Sequence, residues 1–185
     1  LRVLGQAEQT YIVAEGPDGI YLIDQHAAHE RVLFERVKAH AAGREPAVQP
    51  LLEPIAVALN PVQEAQLQGG RQHLEACGFR VEPFGERAWL LRAVPAVVRG
   101  DPARALAEVL DLMAGESRLA QREDLVAASI ACHSAVRAGM TLGHQEMVEL
   151  VRQLEAASSP HTCPHGRPTM VHLSSRHLER EFGRR

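Results

Sequence analysis

Apolar and polar positions along the chain fall into blocks of two periods. Tyr11-Ile12-Val13-Ala14 is a β-branched run, and Ile20-Tyr21-Leu22-Ile23 is a second one. Between them, Glu15-Gly16-Pro17-Asp18-Gly19 supplies the fixed and permissive backbone positions of a tight reversal, which predicts an antiparallel hairpin. At Asp24 the pattern changes to helical spacing, with Val32, Leu33, Phe34 and Val37 as one apolar side to about Ala42. Gly43 and Pro46 end that helix. A strand therefore runs straight into a helix, with Asp24 at the switch, where a carboxylate can cap first-turn amides.

Beyond the helix, Gln49 to Leu59 ends in an alternating, strand-like stretch. Pro50 and Pro54 keep its first part extended and out of a central sheet position. Asn60-Pro61 opens a helix that ends near Cys77-Gly78. Phe79 to Gly85 and Ala88 to Val94 pair as a second hairpin, and Pro102 to Ala114 is helical, with Leu106, Val109, Leu110 and Leu112 apolar. Asp124 to Gly139 reads as a small-residue helix stopped by glycine, and Gly143 to Ala157 as an amphipathic one. Thr169 to Leu173 is a short strand, after which Ser174 caps a last helix ending at Phe182-Gly183-Arg184.

Composition narrows the class. A chain of 185 residues with 45% hydrophobic positions can bury a core, but with 4% aromatics that core must be Leu, Val, Ala and Ile. No apolar run approaches a membrane span, and no signal segment opens the chain. It begins abruptly at Leu1 in strand-like sequence and reads as a fragment of something longer. Three cysteines without framework spacing argue for a reducing compartment. The net charge of -3, with no excess of Lys and Arg and no long basic run, argues against a protein that grips DNA by itself, because phosphate neutralisation supplies most of such affinity.

Candidate chemistry sits in three places. His26 and Glu30 lie four residues apart and share a helix face just after Asp24, giving half a metal site. Cys132 stands on the small-residue helix, and Cys163-Pro164-His165-Gly166-Arg167-Pro168 is a proline-stiffened loop with two further ligands. Each has a plainer alternative: a helix cap with a partly buried imidazole, a core cysteine, a structural zinc knot. Cys77, His29, His133 and His144 read as structural or surface residues. A zincin is excluded because His26-Ala27-Ala28-His29-Glu30 inverts its motif, and a zinc deaminase because no second cysteine follows Cys163.

Taken together these stretches resemble the MutL family of mismatch repair endonucleases. Asp24-Gln25-His26-Ala27 with Glu30 and Glu35 matches the family's DQHA-x2-E-x4-E signature. Ala131-Cys132-His133 is similar to its second motif, Cys163 to Pro168 matches the third, and Phe182-Gly183-Arg184 matches the terminal F-x-R. Gln49-Pro50-Leu51-Leu52-Glu53-Pro54 resembles its sliding-clamp-binding element, with Gln49, Leu51, Leu52 and Pro54 as the contacts.

The resemblance implies a metal site of Asp24, His26, Glu30, Cys132, Cys163 and His165, with Asp24, His26 and Glu30 catalytic. Gln25, Glu35, Arg167, Phe182 and Arg184 would support it, Glu35 pointing away from the His26 face and Phe182 packing as an anchor. It implies regulatory Zn2+, catalytic Mn2+ or Mg2+, and ATP only through an N-terminal half absent here. It implies a cytoplasmic, nucleoid-associated homodimer that meets DNA weakly alone, through the clamp, and the mismatch-recognition protein MutS through the full-length protein. The alternative is a non-catalytic dimerisation and partner-binding module with structural zinc. The expected fold is α+β: a dimerisation and metal-site subdomain from residues 1–42 and 120–185, with a small sheet flanked by helices, and an external α/β subdomain from 43–119.

Overall fold

The computed structural model describes residues 1–41, 47–85, 88–114, 119–135 and 139–184. The expected stop at Gly43 and Pro46, and the end of the predicted helix at Arg137-Ala138, lie outside them. The described residues form six helices and two antiparallel sheets, an α+β fold. None of these helices is long and apolar enough to cross a membrane. Packing divides the chain into two compact units, Leu1–Val32 with Ala135–Arg185, and Leu33–Ser134.

The first unit is built on β1 (Arg2–Ala7), β2 (Tyr11–Gly16), β3 (Gly19–Asp24) and β7 (Met170–Ser174), ordered β1-β2-β3-β7. Strand alternation sorts their side chains into two faces. Val3, Ile12, Ala14 and Ile23 point to one face, where they are buried against Met147, Leu150, Val151 and Leu154 of α5 (His144–Glu155). Ala28 and Val32, from the start of α1 (Gln25–Ala41), complete this core. Burying each such Ile or Leu fully contributes roughly 1.5–3 kcal/mol. α6 (Ser175–Glu181) follows β7, with the Ser174 hydroxyl accepting from His177 N at 3.2 Å as its cap.

The last strand is pinned to β3 by register, Ile20 opposite Leu173 and Ile23 opposite Met170. The approach is closest at Gly19, whose φ is +148°, and a Cβ there would lie 2.2 Å from the Leu173 carbonyl oxygen. Only glycine fits, so the hairpin turn also sets where β7 lies.

The second unit carries the sheet β4-β6-β5, from β4 (Val48–Ala58), β5 (Arg80–Pro83) and β6 (Ala88–Pro95). β4 runs through both prolines as an edge strand, with its register broken between Pro50 and Ile55. α2 (Pro61–Cys77) starts on the Asn60–Gln63 capping box and stops on left-handed Gly78. α3 (Pro102–Ala114) buries Ala105, Leu106, Val109, Leu110 and Met113 and packs on α4 (Leu119–Ser134).

α4 starts before the expected Asp124–Gly139 span, of which residues 136–138 lie outside the described residues. Leu119 to Glu123 hold no helix breaker, so nothing stops the helix from starting before Asp124. Its end comes at Ser134, whose hydroxyl donates back to the Ile130 carbonyl at 2.7 Å. Gly139 belongs to the next turn, where its N–H meets the Gln9 carbonyl at 3.0 Å.

Gly19→Ala is expected to destabilise the chain by about 1–3 kcal/mol, the range for forced overpacking. Gly5→Ala, where an added Cβ meets nothing within 4 Å, is expected to change stability by less than about 0.5 kcal/mol. Urea unfolding of the two variants checks the contrast, and equal midpoints would contradict the close β3–β7 approach.

Candidate metal centre

The centre is assembled by the β3–α1 junction and by the loop that leads into β7. Asp24 Oδ1 accepts the amides of His26 and Ala27 at 2.9 and 3.0 Å, which caps α1 and fixes its first turn. One turn on, the helical spacing brings His26 Nε2 to 3.1 Å from Glu30 Oε1. Glu30 has no exposed surface. Such burial of a carboxylate costs several kcal/mol unless its oxygens are compensated.

The loop supplies that compensation. Cys163 N donates to the Arg167 carbonyl at 2.8 Å, and Gly166, with φ +81°, closes the turn through its own N–H to the Cys163 carbonyl at 3.0 Å. An isolated bridge between Thr162 and Pro168 seals the base, and Thr169 Oγ1 donates to the Pro160 carbonyl. Arg31 of α1 ties the loop to the helix by donating from Nε to the Thr162 carbonyl at 2.6 Å. The loop is thereby folded back over Glu30. Arg167 Nη2 donates to Glu30 Oε2 at 2.9 Å, and His165 Nδ1 lies 3.4 Å from the same oxygen.

Donor atoms of Glu30, Cys163 and His165 lie within 4.8 Å of one another. Cys163 is buried, and the three cysteines form no disulfide. Glu30 Oε1, although close to His26, accepts no hydrogen bond. A buried carboxylate with one oxygen left in that state, in a group with a thiol and an imidazole, suits a cation. The carboxylate, nitrogen and sulfur donors fit Zn2+. Mn2+ and Mg2+ favour oxygen, and the oxygen donor of this group is the Glu30 carboxylate, whereas Asp24 Oδ1 serves amides of α1.

Electrostatics follow the same contacts. Burial pushes the Glu30 carboxyl up, but attraction by His26, the Arg167 hydrogen bond and attraction by His165 outweigh it, so its pKa falls below the ordinary 4.5. The Arg167 guanidinium is raised, first by its hydrogen bond with the Cys163 sulfur and then by Glu30.

Cys132 is exposed on α4 in the second unit, and the side chain of His133 lies outside the described residues. Glu35 is half-buried on the part of α1 that belongs to the second unit. Gln25 is fully buried and donates to the Gln9 and Met140 carbonyls at 2.9 and 3.0 Å, away from ligand chemistry. Phe182, expected as a packing anchor, is instead 76% exposed at the end of α6, and Arg184 is exposed beside it. Ring burial there fails because α6 has no buried residue to pack with. Arg31 and Thr169, which lock the loop, were not singled out from sequence, since their partners give no local spacing signal.

Residues 4–142 match the family profile described as the MutL C terminal dimerisation domain. The chain belongs to that MutL family. Relatives named DNA mismatch repair protein MutL agree. That of Symbiobacterium thermophilum is 42% identical over the whole chain, and that of Koribacter versatilis 40%. That of Phenylobacterium zucineum is 44% identical over 97% of the chain. The chain spans 29–30% of the length of these MutL relatives. In this MutL domain the Asp-Gln-His-Ala stretch is the capped start of α1, and the Cys-Pro-His-Gly-Arg-Pro stretch is the loop above Glu30.

Because Glu30 titrates below its ordinary 4.5 in the fold, its ionised form stabilises the chain above that pH. That contribution is lost as pH falls through the lowered folded value. Wild-type stability is therefore expected to drop more steeply below pH 4.5 than that of Glu30→Gln. Parallel acid limbs in urea unfolding would contradict it.

Proposed function

We propose that this domain is a metal-dependent DNA-nicking endonuclease and homodimerisation module of a MutL protein. The observation that carries the reading is the buried Glu30 carboxylate, one oxygen of which lacks a hydrogen bond, grouped with Cys163 and His165. Glu30, Cys163 and His165 would hold the ion, with His26 beside Glu30 and Asp24 fixing the helix start. A divalent ion supplies, when bound, the Lewis acidity that phosphodiester hydrolysis needs. His26 Nε2, in a partly exposed side chain beside Glu30, is the group available to hold or pass a proton. Zn2+ suits the sulfur-containing set, and Mn2+ or Mg2+ would draw on the carboxylates.

Loading on DNA is assigned to the sliding clamp. The net charge of -3 supports weak binding alone. Leu52 is fully exposed where the β4 register breaks, with Gln49 and Pro54 exposed and Leu51 half-buried beside it, which supports an apolar anchor offered to a partner. ATP coupling, MutS contact and a cytoplasmic setting belong to the full-length protein in this reading. A structural-zinc, non-catalytic module is the second reading, favoured by Cys163 being 1% exposed and by Asp24 Oδ1 serving as a cap.

The homodimer is assigned to the sheet face opposite the core. Tyr11, Val13, Ile20, Leu22, Val171 and Leu173 share it by register, and Tyr11 and Val171 are 44% and 54% exposed. Large apolar patches left on a surface mark association sites. Val171→Glu is expected to give monomers in light scattering at micromolar concentration; a persisting dimer would move the interface elsewhere.

Nicking of supercoiled plasmid with Mn2+ and the clamp tests the activity. Asp24→Asn and Glu30→Gln are expected to abolish nicking with the fold intact, and Leu52→Ala to reduce only its stimulation by the clamp. Equal nicking by the wild type and both carboxylate variants would leave the structural-zinc module as the function.

A further inference from the structure

Arg31 is 8% exposed, and burying a guanidinium is costly unless its N–H groups are taken up. Its Nε donates to the Thr162 carbonyl at 2.6 Å, 131 residues along the chain. Successive residues of a helix point about 100° apart. Glu30 and Arg31 of α1 therefore meet the same loop at two places, Glu30 at Arg167 and His165, and Arg31 at Thr162.

The Thr162 carbonyl and the Cys163 amide belong to one planar peptide group. Its oxygen accepts from Arg31, and its N–H donates to the Arg167 carbonyl at 2.8 Å. The first contact ties the peptide to the helix that carries Glu30; the second keeps it inside the loop. With both edges held the plane cannot turn, and the direction in which the chain carries the Cys163 side chain is set. That side chain is buried, and its sulfur lies within 4.8 Å of the ligand atoms of Glu30 and His165.

We propose that Arg31 is a positioning residue that presents the Cys163 sulfur to the metal centre, by holding the Thr162–Cys163 peptide against the helix that carries Glu30. This rests on the metal-centre reading given above. It makes the sulfur ligand depend on a residue that binds no metal itself.

The test titrates the metal-free wild type, Arg31→Met, Arg31→Lys and Ile12→Val with Co2+, a spectroscopic stand-in for Zn2+, and then competes Zn2+ against it. Methionine keeps most of the buried stem without a donor, and lysine keeps a donor without its fixed direction. Ile12→Val loosens the core of the same unit and is the control for general destabilisation. Circular dichroism verifies that each variant is folded, and intensity is read per bound ion. Wild type and Ile12→Val are expected to show the same sulfur-to-cobalt charge-transfer band. Arg31→Met should lose that band and bind Zn2+ about 10–100-fold more weakly, the range for losing a group that orients a metal ligand. Arg31→Lys should fall between them, and its weakened band carries the test if Arg31→Met does not fold. Full band intensity in either folded Arg31 variant, or an equal loss in Ile12→Val, overturns the proposal and leaves the centre standing. A wild type without the band removes the centre and the proposal with it.

Discussion

Glu30 has no exposed surface, and its charge has to be compensated inside the fold. The compensating groups come from two directions: His26, one helical turn earlier, and Arg167 and His165, more than a hundred residues later in the chain. Their combined pull is strong enough to keep the carboxyl below its ordinary pKa in spite of burial. Yet one oxygen is still left without a hydrogen bond. Protein groups alone leave the carboxylate partly satisfied, in a group with Cys163 and His165 whose donors are typical of a bound cation.

The rest of the first unit can be understood as what brings those two segments together. The hairpin turn at Gly19 admits β7 at a backbone distance no side chain would allow, and the β3–β7 register then fixes where β7 begins. The loop before β7 is tied at its base by Thr162 and Pro168 and to α1 by Arg31. Asp24 joins both ends, since its carboxylate caps α1 while its own N–H meets the Thr169 carbonyl at 2.9 Å. The packing of Ile12, Ile23, Leu150 and Leu154 holds the sheet against α5 and so keeps this frame rigid.

Much of this was legible in the chain because it is local. The strand-to-helix switch at Asp24, the cap at Asn60, the Gly78 stop and the Pro102–Ala114 helix all depend on residues within a few positions of each other. The shared face of His26 and Glu30 is helical geometry of the same kind. Pairing of the loop with Glu30 is not local, and no periodicity carries it; only the resemblance of the ordered motifs pointed to it. The early start of α4 escaped because Asp124 looks like a cap although ordinary helix formers precede it. Arg31 and Thr169 escaped because a buried arginine and a threonine have no distinguishing spacing, only distant partners.

The family assignment rests on similarity along nearly the whole chain, and the chemistry rests on Glu30, Cys163 and His165 meeting. X-ray absorption at the zinc edge, on the chain loaded with one equivalent of Zn2+, tests that meeting most directly. The account predicts one sulfur neighbour at about 2.3 Å with nitrogen and oxygen in the remaining positions, and loss of the sulfur shell in Cys163→Ser. A zinc ion surrounded by nitrogen and oxygen alone in the wild type would contradict it.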